Sequence, residues 1–327
     1  MDRKTPRILL IEPLDHTEVV ARWSRFLVDE CQAEVMLALD NRHRRWAEQL
    51  LPDVACYEWT EIHSLLPTVD LSILITIGND PGRWWPLLSK YRYWVAGHNL
   101  SLWLGGPIYD YSPMNLARWL RDRIRRKKLV SLLEGAQYLL VPTGSMRKHL
   151  LDRKPECPVV TLPFSFPPEQ ILSRPQHVRG YAIKIFIPGR VDTRFRDYHP
   201  VLEALQVLPS DSPTVELVLA GRVFSQSIVD QLARLGPTVK LVFQSEGMND
   251  QLFHEHLADC HFVLAPLRPS VRSGAYREFI GHTKISGAVF DAIAADKILL
   301  LPAWHPEVWR KQKGYSTGAD LITVIIS

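Results

Sequence analysis

The chain has 327 residues, 46% of them hydrophobic and 23% charged, and its formal net charge is +4. This length accommodates two domains with a sizeable core in each, and the composition excludes a mainly disordered chain. The weak positive charge gives no reason to expect general nucleic-acid binding. No apolar run reaches the ~20 residues that a membrane-spanning helix needs, and the apolar stretch near the start is too short for a signal peptide.

The first half of the chain alternates short apolar runs with longer helical patterns. Parallel strands need a crossover connection, so this alternation predicts parallel βαβ units. In chain order, the predicted elements are a strand at Arg7–Glu12, a helix at Thr17–Cys31, a strand at Ala33–Leu39, a helix at Arg44–Leu51, a strand at Leu71–Ile77, a helix at Gly82–Lys90, a strand at Tyr93–Gly97, a helix at Asn115–Leu133, a strand at Tyr138–Pro142, a helix at Ser145–Asp152 and a strand at Val159–Leu162.

A proline-rich segment, Pro163–Arg179, interrupts this rhythm and predicts an interdomain linker at residues 166–180. The alternation then restarts. The later elements are strands at Ala182–Ile187, Val215–Ala220, Val239–Phe243, His261–Ala265 and Lys297–Leu301, and helices at Tyr198–Leu205, Gln226–Leu235, Asn249–Leu257 and Ala288–Ala295. The sequence therefore predicts two Rossmann-like domains, at residues 1–165 and 181–327.

Cysteine usage favours a reduced compartment. The four cysteines, which are Cys31, Cys56, Cys157 and Cys260, are widely spaced and form no C-x-x-C pair. We therefore expect a cytoplasmic protein.

The first candidate site follows the first strand of the second domain. Open parallel sheets bind ligands at the carboxyl ends of their strands, and two such sheets predict a cleft between them. Gly189 and Arg190 stand at such an end, with Arg194 and Arg196 close behind. Glycine lets the backbone approach a ligand, and guanidinium groups suit a diphosphate. The alternative is a turn with solvated arginines.

A second candidate lies where the last predicted helix begins. Lys284, Ser286 and Gly287 combine an ammonium group with the free N–H groups of a helix start, which together favour an anion. An ordinary helix cap with a surface lysine is the alternative. Within the helix, Asp291 could accept two ribose hydroxyls, or could be a carboxylate that the helix dipole favours.

His98 is the candidate from the first domain, because it follows a predicted strand. It could contact a sugar hydroxyl or a developing charge, or it could be a structural histidine. The chain has no G-x-G-x-x-G, no G-x-x-x-x-G-K-[ST] and no G-x-S-x-G sequence. These absences argue against a dinucleotide-binding Rossmann enzyme, a P-loop NTPase and an α/β-hydrolase.

Several segments, in order, resemble the retaining, polysaccharide-building GT-B glycosyltransferases of the "glycosyl transferases group 1" type. They are Arg118–Leu150, Val159–Pro163, Ile187–Leu205, Val215–Arg222, Asp259–Leu267 and Phe290–Pro302. The resemblance implies an α/β protein whose two Rossmann-like β-α-β domains face each other across a cleft. It also implies an acceptor-side domain first and a nucleotide-sugar-binding domain second.

The resemblance further implies roles for individual residues. Arg190 and Arg196 match positions that hold the donor diphosphate, and Asp291 matches a ribose-binding carboxylate. The full expected diphosphate set is Gly189, Arg190, Arg196, Lys284, Ser286 and Gly287. Thr283 occupies a position where the group has a glutamate near the transferred sugar, so His98 and Thr283 are the expected catalytic positions. The chain also stops where the group continues, which predicts that the final C-terminal return helix is lacking.

These features predict a glycosyltransferase that moves a sugar from a nucleotide diphosphate sugar to a glycan or lipid-linked acceptor. No metal or other cofactor is expected, because cationic groups and a helix start would neutralise the diphosphate. The alternative is a catalytically weak or inactive GT-B-like protein that binds a nucleotide or glycan, since Thr283 replaces the glutamate.

Basic residues are concentrated at Arg118–Lys128, where seven of eleven residues are Arg or Lys. Apolar and basic side chains of the predicted helix lie next to each other along one side, at i, i+3 and i+4 spacings. This pattern predicts contact with an anionic membrane surface, peripherally on its inner face. The alternative is a solvated helix whose apolar residues pack on the sheet. Nucleic acid is not expected, because the segment lacks interleaved aromatic residues apart from Trp119.

Overall fold

The structure, a computed structural model, describes residues 5–13, 16–77, 81–97, 99–153, 155–166, 182–209, 211–306, 312–315 and 321. The chain forms two compact units. The first contains Met1–Ser165 together with Ser273–Glu278 and His282–Lys284, and the second contains Phe166–Arg272, Phe279–Gly281 and Ile285–Ser327. Two short segments from late in the chain are therefore part of the first unit.

The first unit is built on a parallel sheet. Its strands are β1 (Arg7–Glu12), β2 (Glu34–Leu39), β3 (Ala55–Glu58), β4 (Leu71–Leu74), β5 (Tyr93–Ala96), β6 (Tyr138–Val141) and β7 (Val159–Thr161). Among the described residues the strand order is β3-β2-β1-β4-β5-β6-β7, and every pairing is parallel. Residues 9–11 of β1 are fully buried. Strands of a parallel sheet are buried on both faces, and their sequences are therefore nearly continuous apolar runs.

Helices cover this sheet. They are α1 (Thr17–Asp29), α2 (Asn41–Leu50), α3 (Ile62–Leu65), α4 (Pro81–Leu88), α5 (Leu100–Leu104), α6 (Pro113–Glu134) and α7 (Gly144–Leu151), with 3₁₀ turns at Trp59–Glu61 and Leu66–Thr68. Caps determine where some of them begin. The Asp40 carboxylate accepts a hydrogen bond from the Arg42 N–H at the start of α2, and the Thr143 hydroxyl accepts one from the Met146 N–H at the start of α7.

The later part of the chain forms the parallel sheet of the second unit and a separate hairpin. Its strands are β8 (Ile183–Ile187), β9 (Val215–Leu219), β10 (Val239–Phe243), β11 (Phe262–Leu264), β12 (Ser270–Ser273), β13 (Tyr276–Phe279), β14 (Ile298–Pro302) and β15 (Gln312–Tyr315). Among the described residues the main sheet has the order β10-β9-β8-β11-β14-β15, and β12 pairs only with β13. The hairpin carries the chain from the second unit into the first.

Four helices of the described residues belong to the second unit: α8 (His199–Gln206), α9 (Gln226–Ala233), α10 (Asp250–Asp259) and α11 (Gly287–Ala294). Their apolar faces and the strands form one core. This core includes Ile185, Leu217, Leu264 and Leu300 from the strands and Val229 from α9. Two parallel-sheet α/β domains were predicted, and these two sheets confirm that architecture.

The continuous part of the first unit ends at Ser165. The predicted linker at residues 166–180 falls almost wholly outside the described residues, and so does the end of the chain at 322–327. The linker and the missing return helix therefore stay predictions. No helix in the described part of the chain is long and apolar enough to cross a bilayer.

Candidate functional site

Gly189 and Arg190 follow β8, which lies between β9 and β11 in the second sheet. The next two strands of the chain, β9 and β10, lie on one side of β8, and the later strands lie on the other. The carboxyl end of β8 is therefore the topological switch point, where α/β sheets bind ligands. Gly189 has a φ of +77°, which favours glycine. A Cβ at Gly221, in the loop after β9, would lie 2.2 Å from the Gly189 carbonyl carbon and oxygen. The two loops are therefore in close backbone contact.

Arg196 lies beneath this turn and is only 6% exposed. Its guanidinium donates a hydrogen bond to the Pro188 carbonyl oxygen, and a Cβ at Gly189 would lie 2.7 Å from its Nη2. Its backbone forms an antiparallel bridge with Leu267, just beyond β11. In this position Arg196 braces the turn, while its predicted contact with a diphosphate stays a prediction.

Arg194 is neutralised within the unit. Its Nη2 lies 2.7 Å from Asp192 Oδ2 and its Nε lies 2.9 Å from Asp192 Oδ1. The hydrogen bond from Arg194 is the main reason that the pKa of the buried Asp192 is below its ordinary value. Asp192 therefore stays ionised at neutral pH.

Arg190 is exposed and lies beside two aromatic rings, and its charge also helps to lower the pKa of Asp192. Its Cζ lies 5.0 Å from the centroid of the Phe195 ring and 5.7 Å from that of Phe224. Among the described residues it forms no ion pair, whereas nearby Arg222 pairs with Glu246 at 3.2 Å. The Arg190 guanidinium is therefore the cation of this turn that remains for an external anion.

The start of α11 is the other predicted anion site of the second unit. Ser286 occupies the cap position, and its side chain accepts no hydrogen bond from the first turn. A Cβ at Gly287 would meet nothing within 4 Å, so the backbone there is open to a ligand. Asp291 lies one turn further along the helix and is half-buried. The diphosphate and ribose roles of these residues stay predictions.

Thr283 and Lys284 lie in the first unit, although they belong to the stretch predicted as the second domain. Lys284 Nζ donates a hydrogen bond to Asn99 Oδ1 at 2.6 Å, and the two residues form an antiparallel backbone bridge. The Leu100 N–H donates to the Thr283 carbonyl at 2.7 Å. This pairing brings both residues to the carboxyl end of β5. His98, the predicted catalytic histidine, lies outside the described residues.

Glu278 is a candidate that the sequence did not indicate. It is 1% exposed, and its Oε2 accepts a hydrogen bond from the Ser101 N–H at 3.3 Å. The Ser101 hydroxyl lies 3.3 Å from the Thr283 hydroxyl. Burial raises the pKa of Glu278, although hydrogen bonds from Thr283 and Ser101 and the charge of Lys284 act in the opposite direction. The buried positions of β13 alternate, and a glutamate at such a position gives no hydrophobic signal.

A further group of polar residues occupies the switch point of the first sheet, between β1 and β4. Glu12 ends β1 and is fully buried, and its carboxylate accepts a hydrogen bond from the Thr76 hydroxyl at 2.6 Å. His16 lies 3.7 Å from the Glu18 carboxylate. Burial lowers the pKa of His16, but the hydrogen bond with Glu18 and the charges of Glu12 and Glu18 outweigh it, so that this pKa is raised.

The charge of Lys284 lowers the pKa of His16, so the ammonium group lies close enough to act on the imidazole. We call Glu12, His16, Thr76, Asn99 and Lys284 the β1–β4 polar cluster. Its carboxylate, imidazole, hydroxyl, amide and ammonium groups offer both donors and acceptors. Such a mixture suits a ligand with several hydroxyl groups. No group of three His, Cys, Asp or Glu side chains in the described ranges is arranged to hold a metal ion.

Comparison with known proteins finds similarity in solved structures. No family model and no curated protein sequence matches the chain. A glycosyltransferase from Rickettsia africae is 13% identical with a TM-score of 0.59, and the match covers 99% of this chain and 88% of that one. Anabaena HepE, in complex with UDP and glucose, is 14% identical with a TM-score of 0.57, and the match covers 98% and 89%.

UDP-GlcNAc 2-epimerase from Neisseria meningitidis, bound to UDP-GlcNAc, is 13% identical with a TM-score of 0.53, and the match covers 97% and 90% of the two chains. At this level of identity the similarity establishes the fold alone. The chain has the GT-B fold, as its sequence predicted. Because the same fold serves transferases and an epimerase, the chemistry must be argued from the sites.

Proposed function

We propose that this protein is a glycosyltransferase that moves a sugar from a nucleotide diphosphate sugar to a glycan or lipid-linked acceptor. The observation that carries the proposal is the exposed Arg190 guanidinium on the Gly189 turn, which forms no ion pair within the described ranges and lies at the switch point of the second sheet. Solved structures of similar fold support it, since HepE was crystallised with UDP and glucose and another neighbour is named a glycosyltransferase.

In this proposal the second unit binds the donor. Arg190 offers a planar fork of N–H donors to the diphosphate, and the Gly189 backbone allows close approach. The N–H groups at Ser286 and Gly287 add the positive end of α11, and Asp291 accepts ribose hydroxyls. These groups stabilise the charge that develops on the departing nucleoside diphosphate, which lowers the barrier to transfer. Arg196 would contribute to diphosphate binding in two ways, by holding the shape of the turn and by its positive charge.

The first unit would bind the acceptor. The β1–β4 polar cluster supports this assignment, because it presents donors and acceptors to hydroxyl groups at the switch point of a parallel sheet. His98 and Thr283 are proposed to act near the transferred sugar. Lys284 was predicted as a diphosphate ligand, and that role stays part of the proposal.

Ligand binding by two arginine variants tests the donor site. Thermal shift and calorimetry with UDP, ADP, GDP and dTDP identify the nucleoside diphosphate that binds. Loss of a charge-assisted contact costs about 1.5–3 kcal/mol, so Arg190→Ala should weaken that binding by about tenfold to a hundredfold. Arg234→Ala is the matched control, because Arg234 is an exposed arginine at the end of α9. Equal affinity in wild type and Arg190→Ala would remove Arg190 from the site.

Metal independence needs its own measurement. Because guanidinium, ammonium and helix N–H groups are proposed to neutralise the diphosphate, EDTA should leave nucleotide affinity and donor turnover unchanged. Loss of either in EDTA, with recovery on adding magnesium or manganese, would contradict this part of the proposal.

A second candidate function is a GT-B-like protein that binds a nucleotide or glycan without turnover. Thr283 favours this candidate. Its hydroxyl is hydrogen-bonded to Ser101, at a position where the glycosyltransferases that the sequence resembles have a carboxylate. The two candidates differ in product formation. Release of nucleoside diphosphate from a panel of nucleotide sugars supports the transferase, and tight binding of the same sugars without release supports the second candidate.

The membrane contact predicted from Arg118–Lys128 is also proposed, with an anionic bilayer as the partner. The amino-terminal half of α6 and the loop before it expose large apolar residues beside arginines. Tyr111 is 83% exposed, and Met114, Leu116 and Leu120 are exposed as well. Arg123 lies over the Trp119 ring at 5.1 Å. Apolar and cationic side chains on one helix match the chemistry of an anionic lipid surface.

A further inference from the structure

Five side chains at the carboxyl edge of the second sheet alternate between arginine and phenylalanine. Arg190 lies between Phe195, at 5.0 Å, and Phe224, at 5.7 Å from Cζ to ring centroid. Beyond the rings, Arg194 lies 5.9 Å from Phe195 and Arg222 lies 5.5 Å from Phe224. We call this arrangement the arginine–phenylalanine ladder. Each spacing falls within the range of cation–π contacts.

The outer and central arginines of the ladder differ in charge balance. Arg194 is paired with the buried Asp192, and Arg222 is paired with Glu246. Arg190 forms no ion pair within the described part of the chain, and neither of its neighbouring rings can neutralise it. Among the described residues, the ladder therefore contains two ion-paired arginines around one that forms no ion pair, although the Arg190 charge also acts on Asp192.

Backbone hydrogen bonds hold the two rings in place. The Phe195 N–H donates to the Asp192 carbonyl at 3.0 Å, within a tight turn. The Phe224 N–H donates to the Val191 carbonyl at 2.9 Å, and the Val191 N–H donates to the Arg222 carbonyl at 2.9 Å. Val191 is fully buried, so the loops after β8 and β9 are joined at a rigid point. The rings flank Arg190 from anchored segments.

We propose that Phe195 and Phe224 are positioning residues that hold the Arg190 guanidinium for an external phosphate group. An exposed arginine loses rotamer freedom when it binds an anion, and restraint before binding reduces that loss. The ring faces attract the cation without satisfying its N–H donors, so that the planar fork remains free for phosphate oxygens. This inference rests on the proposed donor site, because it assigns Arg190 a phosphate ligand.

The ladder itself is tested without nucleotide. In the full chain labelled on arginine, the Arg190 side-chain resonances are assigned by their absence in Arg190→Lys. Ring currents should displace the Arg190 Cδ–H and Nε–H signals, and Phe195→Leu or Phe224→Leu should return them toward their unperturbed positions. Phe195→Tyr and Phe224→Tyr keep a ring and should keep the displacement. Arg190 signals that both leucine variants leave unchanged would overturn the inference.

Binding of inorganic pyrophosphate then tests the consequence. Each leucine variant should weaken binding by about twofold to fivefold, as expected for loss of an exposed cation–π contact, and the tyrosine variants should restore it. Phe243→Leu is the matched control, since Phe243 is a partly exposed phenylalanine at the end of β10. Wild-type affinity in both leucine variants, with the Arg190→Ala affinity reduced, would overturn the positioning role alone. Failure of the wild type to bind pyrophosphate or any nucleoside diphosphate would instead contradict the proposed donor site.

Discussion

Two arginines of the same loop have different environments and should behave differently when removed. Arg196 is buried and donates to the Pro188 carbonyl, whereas Arg190 is exposed. Losing a buried charge-assisted hydrogen bond costs about 1.5–3 kcal/mol, so Arg196→Ala should lower the free energy of unfolding by that amount. Arg190→Ala should change it by less than about 0.5 kcal/mol, as for most surface substitutions.

Urea unfolding followed by circular dichroism measures both effects. The wild-type chain and Arg234→Ala serve as references, because Arg234 is also exposed. If Arg196→Ala and Arg190→Ala were equally stable, Arg196 would not brace the turn.

Glu278 should give the folded chain a measurable pH dependence. Its pKa is raised from the ordinary 4.5 by burial, against the opposing contributions of Thr283, Ser101 and Lys284. The folded chain therefore keeps this proton at pH values where the unfolded chain has lost it. The stabilising contribution is complete below pH 4.5 and is lost as the pH rises toward the folded pKa.

Glu278→Gln isolates this effect because the amide does not titrate. Carboxylates with a lowered pKa, such as Asp192, contribute the opposite slope, but they are present in both proteins and cancel in the difference. The free energy of unfolding of the wild type should fall relative to that of Glu278→Gln between pH 4.5 and 8, which urea titrations can follow. A difference that stays constant with pH would show that Glu278 ionises normally.

At the scale of elements, strands rich in apolar residues were predictable, including the edge strands β7 and β10, and strands poor in apolar residues were not. β1, β9 and β14 are mostly buried and mostly apolar runs, which the sequence shows directly. β3 is a half-buried edge strand, so it lacks such a run. In the hairpin strand β13, buried and exposed positions alternate as usual, but the charged Glu278 is buried and the apolar Phe279 is exposed. Local periodicity fails where a strand is stabilised by its partners rather than by its own apolar face.

The α6 helix is the element on which membrane binding can be decided. The wild-type chain should sediment with vesicles of 30% phosphatidylserine and not with neutral vesicles. Each basic residue near such a surface contributes about 1 kcal/mol, so the charge reversals Arg118→Glu and Arg121→Glu together should weaken binding strongly, and salt should do the same. Arg126 is a poorer choice, because its guanidinium donates to the Leu104 carbonyl at 3.0 Å and supports the fold.

The apolar part of this surface has its own variant. Leu116 and Leu120 are four residues apart on α6 and both are exposed, so Leu116→Ser should reduce binding without changing charge. Arg234→Glu, a charge reversal on α9 in the second unit, is the control and should bind as the wild type does. Negligible sedimentation of the wild type with both lipid mixtures would leave α6 a solvated surface helix.

At the scale of the whole molecule, the main departure from expectation is the path of the chain. Residues 273–278 and 282–284 pack into the first unit, although about a hundred residues of the second unit separate them from Ser165. Lengthening a loop adds little to its closure entropy, so such a return is thermodynamically feasible. No local pattern encodes it, because Ser101, Glu278 and Thr283 meet only in three dimensions. The sequence pattern therefore indicates Thr283 and Lys284 as candidate site residues but places them in the second domain.

This chain path makes a prediction about a fragment. Residues 1–165 alone lack the partners that Ser101 and Asn99 have in the whole chain, so the fragment should unfold at a lower urea concentration than the first unit of the intact protein. Eight of the ten tryptophans precede residue 165, so fluorescence reports mainly on the first unit. A synthetic peptide of residues 270–287 should raise the midpoint of the fragment, because it supplies the missing partners.

The size of this rescue follows from mass action. A peptide that binds only the folded fragment adds about 1.4 kcal/mol when its concentration is ten times its Kd. A peptide carrying both Glu278→Ala and Thr283→Ala loses the hydrogen-bonding groups that meet Ser101 and should rescue less at the same concentration. A peptide with Arg272→Ala is the control, because Arg272 belongs to the second unit. If the wild-type peptide left the midpoint of the fragment unchanged, residues 273–278 and 282–284 would pack on the first unit without stabilising it.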